Sequence, residues 1–362
     1  MTLRVIDGFD YATTGLTDTQ YSTMWAAADW YFWAGSPFGT QQNIAKVGRY
    51  GFGYAFCFSN IYANMSYTKP IGESVSTGYL GFGLYISTTG VNNQNFLVCF
   101  YDGVANLPQF TIQFCANGVI KAYRGDTDTG TLLATTPVGQ YLLDQYFQFE
   151  VGGTISSSAG YIEVRINTKT VITLNSINTQ NTTISTFDSI QLRMEGGYGA
   201  SADVRVDDLY FCDSAGSINN NFLGTVRVFT QLTAGAGSTT DFSKYGSQPT
   251  NWQTVQNKLL DDSQYVYDAT NGQYDLYDMQ AVVTGPTVHG VQIRGAYRQD
   301  DATQVNAHNV LKSGSTQVEG ADHLINQTYT YYTDIWELDP NTGVGWLGTN
   351  VNLIQAGPKK QA

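Results

Sequence analysis

Short apolar and aromatic segments recur along the first 214 residues, and a turn signal separates each from the next. Examples are LRVID, GYAFCFSN, TGYLGFGLYIST and NFLVCFYDG, with YDG, CANG and EGGYG among the turns. β-branched and aromatic residues favour strands, whereas glycine and asparagine favour the turns that join them. This pattern predicts an antiparallel β sandwich, and we predict no helix in this part of the chain.

A small and polar stretch, SAGSINNNF at 214–222, resembles a linker. We therefore predict a first sandwich domain over 1–214, a linker over 215–222 and a second β-rich sandwich domain over 223–357. The strand-like pieces of the second domain include TVRVFTQL, VQIRGAY and YTYYTDIWEL. Residues 358–362 are predicted to be a solvated tail.

One segment of the second domain has helical spacing. In NWQTVQNKLLDD, at 251–262, the apolar residues Trp252, Val255 and Leu259 recur at intervals of three and four. This spacing places them on one face of a helix. The segment is the helix candidate of the chain.

Composition and charge remove several function classes. Only 13% of the residues are charged, 42% are hydrophobic, and the net charge is −12 from 18 basic and 30 acidic residues. Such a chain is not disordered, and without a basic stripe it is not expected to bind nucleic acid or to insert into a membrane. The start, MTLRVIDGFD, has no signal-peptide pattern, so we expect synthesis in a cytoplasm.

Cysteine and histidine give no metal-binding pattern. None of the four cysteines is in a CxxC spacing, and each lies in an apolar, strand-like context, which favours reduced cysteines packed as small hydrophobes. The histidines have no ligand partner at i+3 or i+4. The residues concerned are Cys57, Cys99, Cys115, Cys212, His289, His308 and His323.

The strand-like run DVRVDDLYFCD, at 203–213, holds two adjacent carboxylates. Alternation along a straight strand puts Asp207 and Asp208 on opposite faces. Carboxylates that cleave a glycosidic bond must converge on it, so this pair is not expected to be catalytic. Glu150 and Glu163 are predicted at solvated positions on two strands of a hairpin. No GxSxG, HExxH or phosphate-loop motif occurs, and we assign no catalytic residue.

The segment MWAAADWYFWAGSPFG, at 24–39, contains three of the six tryptophans. We place it in a loop or at a sheet edge. Three interpretations stay open: core packing, contact between subunits or with other proteins, and stacking on a glycan. The candidate residues are Trp25, Trp30, Tyr31, Trp33 and Phe38.

Two parts of the sequence resemble known bacteriophage modules. IDGFDYA near the start and VDDLYFCD near 210 resemble the first and last strands of concanavalin A-like, laminin-G-type jelly-roll domains of phage proteins, over roughly 1–213. Between them, YFQFEVGG and GYIEVRINTKTV resemble the central hairpin of that family. NWQTVQ, IRGAYRQDDAT and YTYYTDIWELDPNTGVGW resemble a C-terminal module that follows jelly rolls in virion proteins of tailed phages, over about 222–357. The chain has AYRQDD where such modules often carry ARKDD.

The jelly-roll resemblance implies that the first and last strands of the domain are neighbours. Asp7 and Asp10 are then expected near Asp207 and Asp208. Two roles for these four carboxylates remain open: accepting backbone N–H groups at the seam, or holding a structural Ca²⁺ together with carbonyl oxygens. They also protect a sheet edge against unwanted strand addition.

Together these features predict a non-enzymatic structural protein of a phage virion. Tail association (fibre, tip or baseplate) with attachment to a host surface glycan is the first interpretation, and a capsid decoration or head-fibre protein is the second. A polysaccharide depolymerase is the third. The expected partners are copies of the chain itself in a homo-oligomer, for which we expect a trimer, and other virion proteins.

Overall fold

The computed structural model describes residues 2–12, 16, 18–34, 45–59, 65–87, 95–115, 117–195, 203–257, 260–282 and 287–361. The chain divides into two units, Met1–Val228 and Phe229–Ala362, and the division lies a few residues beyond the expected linker. The described strands all pair antiparallel, and few residues are helical, so the fold class is all-β as predicted. No helix of the described ranges is both long and apolar enough to cross a membrane.

The described residues of the first unit form fifteen strands, one helix and a 3₁₀ turn at Arg49–Gly51. Its elements are β1 Leu3–Asp7, α1 Asp18–Ala27, β2 Tyr31–Ala34, β3 Ala45–Val47, β4 Tyr54–Ser59, β5 Met65–Val75, β6 Thr77–Ile86, β7 Asn95–Asp102, β8 Leu107–Phe114, β9 Ile120–Arg124, β10 Thr131–Thr135, β11 Tyr146–Thr154, β12 Gly160–Ile166, β13 Lys169–Ile177, β14 Phe187–Glu195 and β15 Asp203–Asp213.

These strands form the two sheets of a jelly-roll sandwich. One has the order β13-β12-β11-β6-β15-β4-β3, with β1 also paired to β15, and the other has the order β10-β9-β8-β7-β14-β5-β2. Phenylalanine rings from the two sheets meet in the core: Phe149 lies 4.9 Å from Phe114, and Phe58 lies 5.8 Å from Phe96. Side chains that interdigitate in this way hold two stacked sheets together.

Helix α1 contradicts the prediction that this part has no helix. Tyr21, Met24, Trp25 and Ala28 are all buried, and their spacing of i, i+3, i+4 and i+7 is that of one helical face. The Trp25 ring lies 4.9 Å from the ring of Phe56 in β4. The helix therefore closes one end of the sandwich core.

The second unit is also built of strands, and its described residues form one six-stranded sheet and two separate pairs. The sheet order is β16-β19-β25-β21-β22 with β23 on β21, and the pairs are β17–β18 and β20–β24. The elements are β16 Thr233–Thr240, β17 Ser243–Tyr245, α2 Asn251–Thr254, β18 Tyr265–Tyr267, β19 Asp275–Met279, β20 Val291–Tyr297, β21 Asn306–Ser313, β22 Thr316–Glu319, β23 His323–Leu324, β24 Thr330–Trp336, α3 Gly348–Val351 and β25 Gln355–Gln361.

Two expectations for the second unit are corrected. The predicted helix is one turn that ends at Thr254, because Trp252 and Val255 are only half-buried and a short helix needs a packed face; Leu259 lies outside the described residues. The predicted solvated tail is instead part of β25, where Pro358 pairs with Asn309 of β21.

Candidate functional site

Strand β15 is not straight where the two adjacent carboxylates lie. The register against β6 shifts between Asp207 and Tyr210, and Asp208 has a φ of 54°. The Asp207 side chain accepts a hydrogen bond from the backbone N–H of Arg49 at 2.6 Å, and a carboxylate oxygen of Asp208 lies 4.0 Å from the Arg49 guanidinium. The prediction of opposite faces is wrong, because a β-bulge resets the alternation of side chains.

Both carboxylates of the pair are buried and accept backbone N–H groups. Asp207 Oδ1 accepts the N–H of Asp208 at 2.8 Å, and Asp208 Oδ1 accepts the N–H of Val228 at 2.8 Å. Burial raises the pKa of Asp207, and the neighbouring charge of Asp208 raises it further. Burial also raises the pKa of Asp208. The pair therefore retains protons at a pH where exposed carboxyl groups have lost theirs.

Asp7 and Asp10 join this pair at the seam, as the resemblance implies. Strand β1 pairs with β15, and Asp7 lies opposite Leu209. Asp7 accepts the backbone N–H of Phe9 and the indole N–H of Trp30, each at 2.9 Å. Asp10 accepts the backbone N–H of Tyr54 at 3.0 Å. All four carboxylates thus face N–H donors.

The calcium alternative does not fit this arrangement. A Ca²⁺ site needs six to eight oxygen ligands directed at one point. Across the described ranges, no group of three or more acidic, histidine or cysteine side chains is placed to hold a metal ion. The contacts favour hydrogen bonding as the role of Asp7, Asp10, Asp207 and Asp208.

Three of these carboxylates surround an exposed turn between β3 and β4. This aromatic turn, Gly48–Gly53, has the sequence GRYGFG, and the N–H of Gly48 donates to the carbonyl of Gly53 at 3.1 Å. Tyr50 has a φ of 65°, a conformation that bulky residues rarely adopt. The side chains of Tyr50 and Phe52 are 54% and 68% exposed. The turn thus presents two aromatic rings to solvent.

Glycines allow the carboxylates to approach this turn. A Cβ on Gly48 would lie 2.7 Å from an oxygen of Asp207, and one on Gly53 would lie 1.7 Å from an oxygen of Asp10. Hydrogen bonds on both sides of the turn hold Tyr50 in its rare conformation. Glycines between aromatic residues are also common within strands and bulges, so the motif alone does not indicate a site.

An arginine completes the surface of the aromatic turn. The guanidinium carbon of Arg227, whose side chain is exposed, lies 5.4 Å from the ring centre of Tyr50 and 5.3 Å from that of Phe52. The guanidinium of Arg49 lies 4.9 Å from the Tyr50 ring. Cation–π contacts at these distances hold exposed rings in place.

The structure separates the aromatic residues that were grouped as one candidate site. Trp25 and Trp30 are each 1% exposed, so they are corrected to core residues that reach no external partner. Tyr31, in β2, is 53% exposed. Trp33 is also in β2, but its side chain lies outside the described part of the chain, and so does the whole of Phe38.

Glu150 also differs from its prediction. It lies in the β11–β12 hairpin as expected, opposite Arg165, but it is fully buried rather than solvated. Its Oε1 accepts the Tyr210 hydroxyl and, at 2.8 Å, the N–H of Gly224. The side chain is buried because residues after β15 cross the outer face of the sheet.

The comparisons with known proteins give only weak likenesses. No protein-family model matches the chain, and no curated protein matches it. Among solved structures, a sialidase aligns with 58% of this chain and 18% of its own, at 12% identity and a TM-score of 0.38. The carbohydrate-binding module CBM66 from Bacillus subtilis aligns with 50% of this chain and 95% of its own, at 8% identity and a TM-score of 0.34.

A third neighbour is the carbohydrate recognition domain of Emp47p, which aligns with 59% of this chain and 97% of its own. Its identity is 8% and its TM-score is 0.38. Likenesses of this strength decide nothing about function. The jelly-roll assignment rests on the strand pairings and ring contacts of the chain itself.

Proposed function

We propose that this protein is a non-enzymatic structural protein of a tailed-phage virion that binds a host surface glycan through the aromatic turn. The observation that carries the glycan part is the pair of exposed rings, Tyr50 and Phe52, on a turn fixed by two carboxylates, the buried Asp207 and the half-buried Asp10. Aromatic faces stack on the C–H surfaces of sugars, and the tyrosine hydroxyl supplies a hydrogen bond at the rim.

The rigidity of the turn supports a role in binding. A loop that must be ordered on association loses part of its binding free energy to that ordering. Here the backbone is held at Arg49 by Asp207 and at Tyr54 by Asp10, and Arg227 packs against both rings. The rings are therefore positioned before any ligand arrives.

The proposal excludes catalysis for a geometric reason. Two carboxylates that cleave a glycosidic bond must reach that bond from either side. Asp207 and Asp208 are neighbours on one strand and both lie against Arg49, so they do not flank a bond from two sides. Incubation of the protein with host polysaccharide should release no new reducing ends; their release would support the depolymerase alternative.

The virion setting is supported by the two sequence resemblances described above. Tail association is our first placement because a glycan-binding surface suits attachment, and capsid decoration is the alternative. Antibody labelling of phage particles in electron micrographs distinguishes a tail signal from a head signal. We also propose a trimer, which sedimentation velocity of the purified chain tests directly.

The glycan hypothesis is tested by comparing single substitutions on a glycan array and by calorimetry with the strongest oligosaccharide. We expect Tyr50→Ala and Phe52→Ala each to weaken binding by roughly tenfold, about 1.4 kcal/mol, which is the scale of an interface anchor. Tyr31→Ala is the matched control, since Tyr31 is an equally exposed tyrosine of the same unit. The proposal would be overturned if Tyr31→Ala and Tyr50→Ala lost equal amounts of glycan affinity, or if the unmodified protein bound no glycan.

A further inference from the structure

The outer face of the eight-stranded sheet has a floor made of glycine. A Cβ on Gly81 of β6 would lie 2.3 Å from the ring of Tyr210, and one on Gly83 would lie 2.8 Å from Cδ of Arg49. Because these positions have no side chain, the neighbouring side chains lie directly on the sheet backbone. Tyr210 and Arg49 occupy the space above Gly81 and Gly83, and we call this patch of the outer face, on β11, β6 and β15, the groove.

Polar atoms without a partner line this groove. Arg49 donates to Gln148 Oε1 at 2.7 Å. In the described part of the chain, five buried side-chain atoms of this region make no hydrogen bond: Arg49 Nε, Tyr146 Oη, Gln148 Nε2, Glu150 Oε2 and Asp208 Oδ2. Buried polar groups are almost always hydrogen-bonded, so a cluster of exceptions needs an explanation.

The chain that follows β15 covers the groove. We call residues Phe222–Val228 the strap. The N–H of Leu223 donates to the Tyr210 hydroxyl at 3.0 Å, that of Gly224 to Glu150 at 2.8 Å, and that of Val228 to Asp208 at 2.8 Å. No regular secondary structure is formed by the strap, so side-chain acceptors of the groove hold its backbone.

The two ends of the strap are fastened by ring contacts. At one end, the Phe222 ring lies 3.9 Å from the guanidinium of Arg165 in β12 and 5.0 Å from the ring of Tyr79 in β6. At the other end, Arg227 packs against the aromatic turn. The cation–π contacts at the two ends are individually weak, since an exposed pair of this kind contributes about 0.5–1 kcal/mol.

We infer that the strap is a displaceable cover over a second part of the glycan site, which extends from the aromatic turn along the glycine-floored groove. This inference rests on the proposed glycan binding. The groove offers two nitrogen donors, two carboxylate acceptors and one phenol hydroxyl, in a region where positive and negative charges are both present. A polyhydroxylated ligand matches this mixture, because each sugar hydroxyl both donates and accepts.

The test loosens the strap without changing the groove. Phe222→Ala removes the ring clamp at one end, and Gly224→Ala strains the strap backbone at a position with a φ of 77° and no neighbour within 4 Å. Ile218→Ala, at an exposed side chain four residues before the strap, is the matched control. Hydrogen exchange of a 222–228 peptide and glycan-array binding of the full chain are measured for all three variants.

We expect exchange of the strap peptide to become about fivefold to tenfold faster in both strap variants, and array signals to rise. Addition of Gln148→Ala to Phe222→Ala should cancel the rise, because Gln148 belongs to the groove. In the unmodified protein, the strongest oligosaccharide should accelerate strap exchange. Faster exchange without a gain in binding, or unchanged exchange in both variants, would overturn the inference.

The same experiment distinguishes the two proposals. If Tyr50→Ala leaves binding unchanged but Phe222→Ala increases it, the aromatic turn fails as the site and the groove stands. If Tyr50→Ala abolishes binding and neither strap variant changes it, the aromatic turn stands and the covered groove fails. Exchange in β6 and β11 peptides reports whether each variant is folded.

Discussion

Replacing Asp208 by asparagine removes one of two carboxyl groups that are buried side by side near Arg49. Asparagine has the same shape, and its side-chain oxygen still accepts the N–H of Val228, which Asp208 holds at 2.8 Å. The variant loses the ion pair between Asp208 and the Arg49 guanidinium, which is long at 4.0 Å. The repulsion between the charges of Asp207 and Asp208 disappears as well. We therefore expect Asp208→Asn to stabilise the first unit at neutral and alkaline pH.

The magnitude follows from proton linkage. Burial raises the pKa of both Asp207 and Asp208 above the unfolded value of about 3.9. Above roughly pH 4 the folded pair thus binds more protons than the unfolded chain, and its stability falls as the pH rises. Each extra proton makes the free energy of unfolding fall by about 1.4 kcal/mol per pH unit, until the folded pair has lost its last proton.

In the variant, one titrating group is gone and Asp207 no longer faces the charge of Asp208. The pKa of Asp207 stays raised by burial and by the charge of Asp10, but less than before, so the loss of stability ends at a lower pH. At about pH 8 we expect the variant to be more stable than the unmodified protein by about 1–2 kcal/mol, the value of roughly one unit of pKa.

Hydrogen-exchange mass spectrometry from pH 5 to 8 is the appropriate assay. Peptides from β6 and β11 report unfolding of the first unit separately from the second. Asp128→Asn, at an exposed aspartate, makes the same change in net charge and should stay within about 0.5 kcal/mol at every pH. The reasoning is refuted if the stability of the unmodified first unit rises with pH over this range, or if Asp208→Asn leaves its slope unchanged.

Three further substitutions test the packing and the strain described above by thermal or urea unfolding. Gly83→Ala should cost about 1–3 kcal/mol, because its Cβ would lie 2.8 Å from Arg49, whereas Gly345→Ala, with no atom within 4 Å, should be near neutral. Trp30→Ala should cost about 3–5 kcal/mol, and a cost below 1 kcal/mol would contradict its place in the core. Tyr50→Gly should relieve about 1 kcal/mol of backbone strain and weaken glycan binding by roughly tenfold, as Tyr50→Ala does; a loss of stability would show that the positive φ is not strained.

The sequence predicted the sandwich correctly because its signals are local and repeated. Apolar segments of strand length alternate with glycine-containing turns, and this pattern does not depend on distant contacts. The neighbouring positions of β1 and β15, and the hairpin of β11 and β12, followed from resemblance and were confirmed. Helix α1 could also have been predicted, since Tyr21, Met24 and Trp25 are spaced i, i+3 and i+4. The dense aromatic composition of the segment favoured a loop interpretation instead.

The candidate site could not be predicted in the same way. The alternation rule assumes a straight strand, and nothing in VDDLY reveals that Asp208 adopts a φ of 54°. The bulge exists because β15 changes its edge partner from β4 to β1 near this point. Likewise, GRYGFG becomes a rigid turn only when Asp10 and Asp207, distant in sequence, lie beside it. Such contacts are properties of the tertiary structure.

The hydrogen bonds of the strap set a rule for exchanging modules between related genes. The polar stretch at 214–222 is the obvious crossover point in the sequence, yet a chimaera joined there would place another parent's residues over Tyr210, Glu150 and Asp208, and would keep these hydrogen bonds only where that backbone follows the same path. A crossover after Val228 keeps every one of them. Functional chimaeras should therefore inherit residues 222–228 from the parent that supplies the jelly roll, and recombinants joined upstream should be insoluble or short-lived.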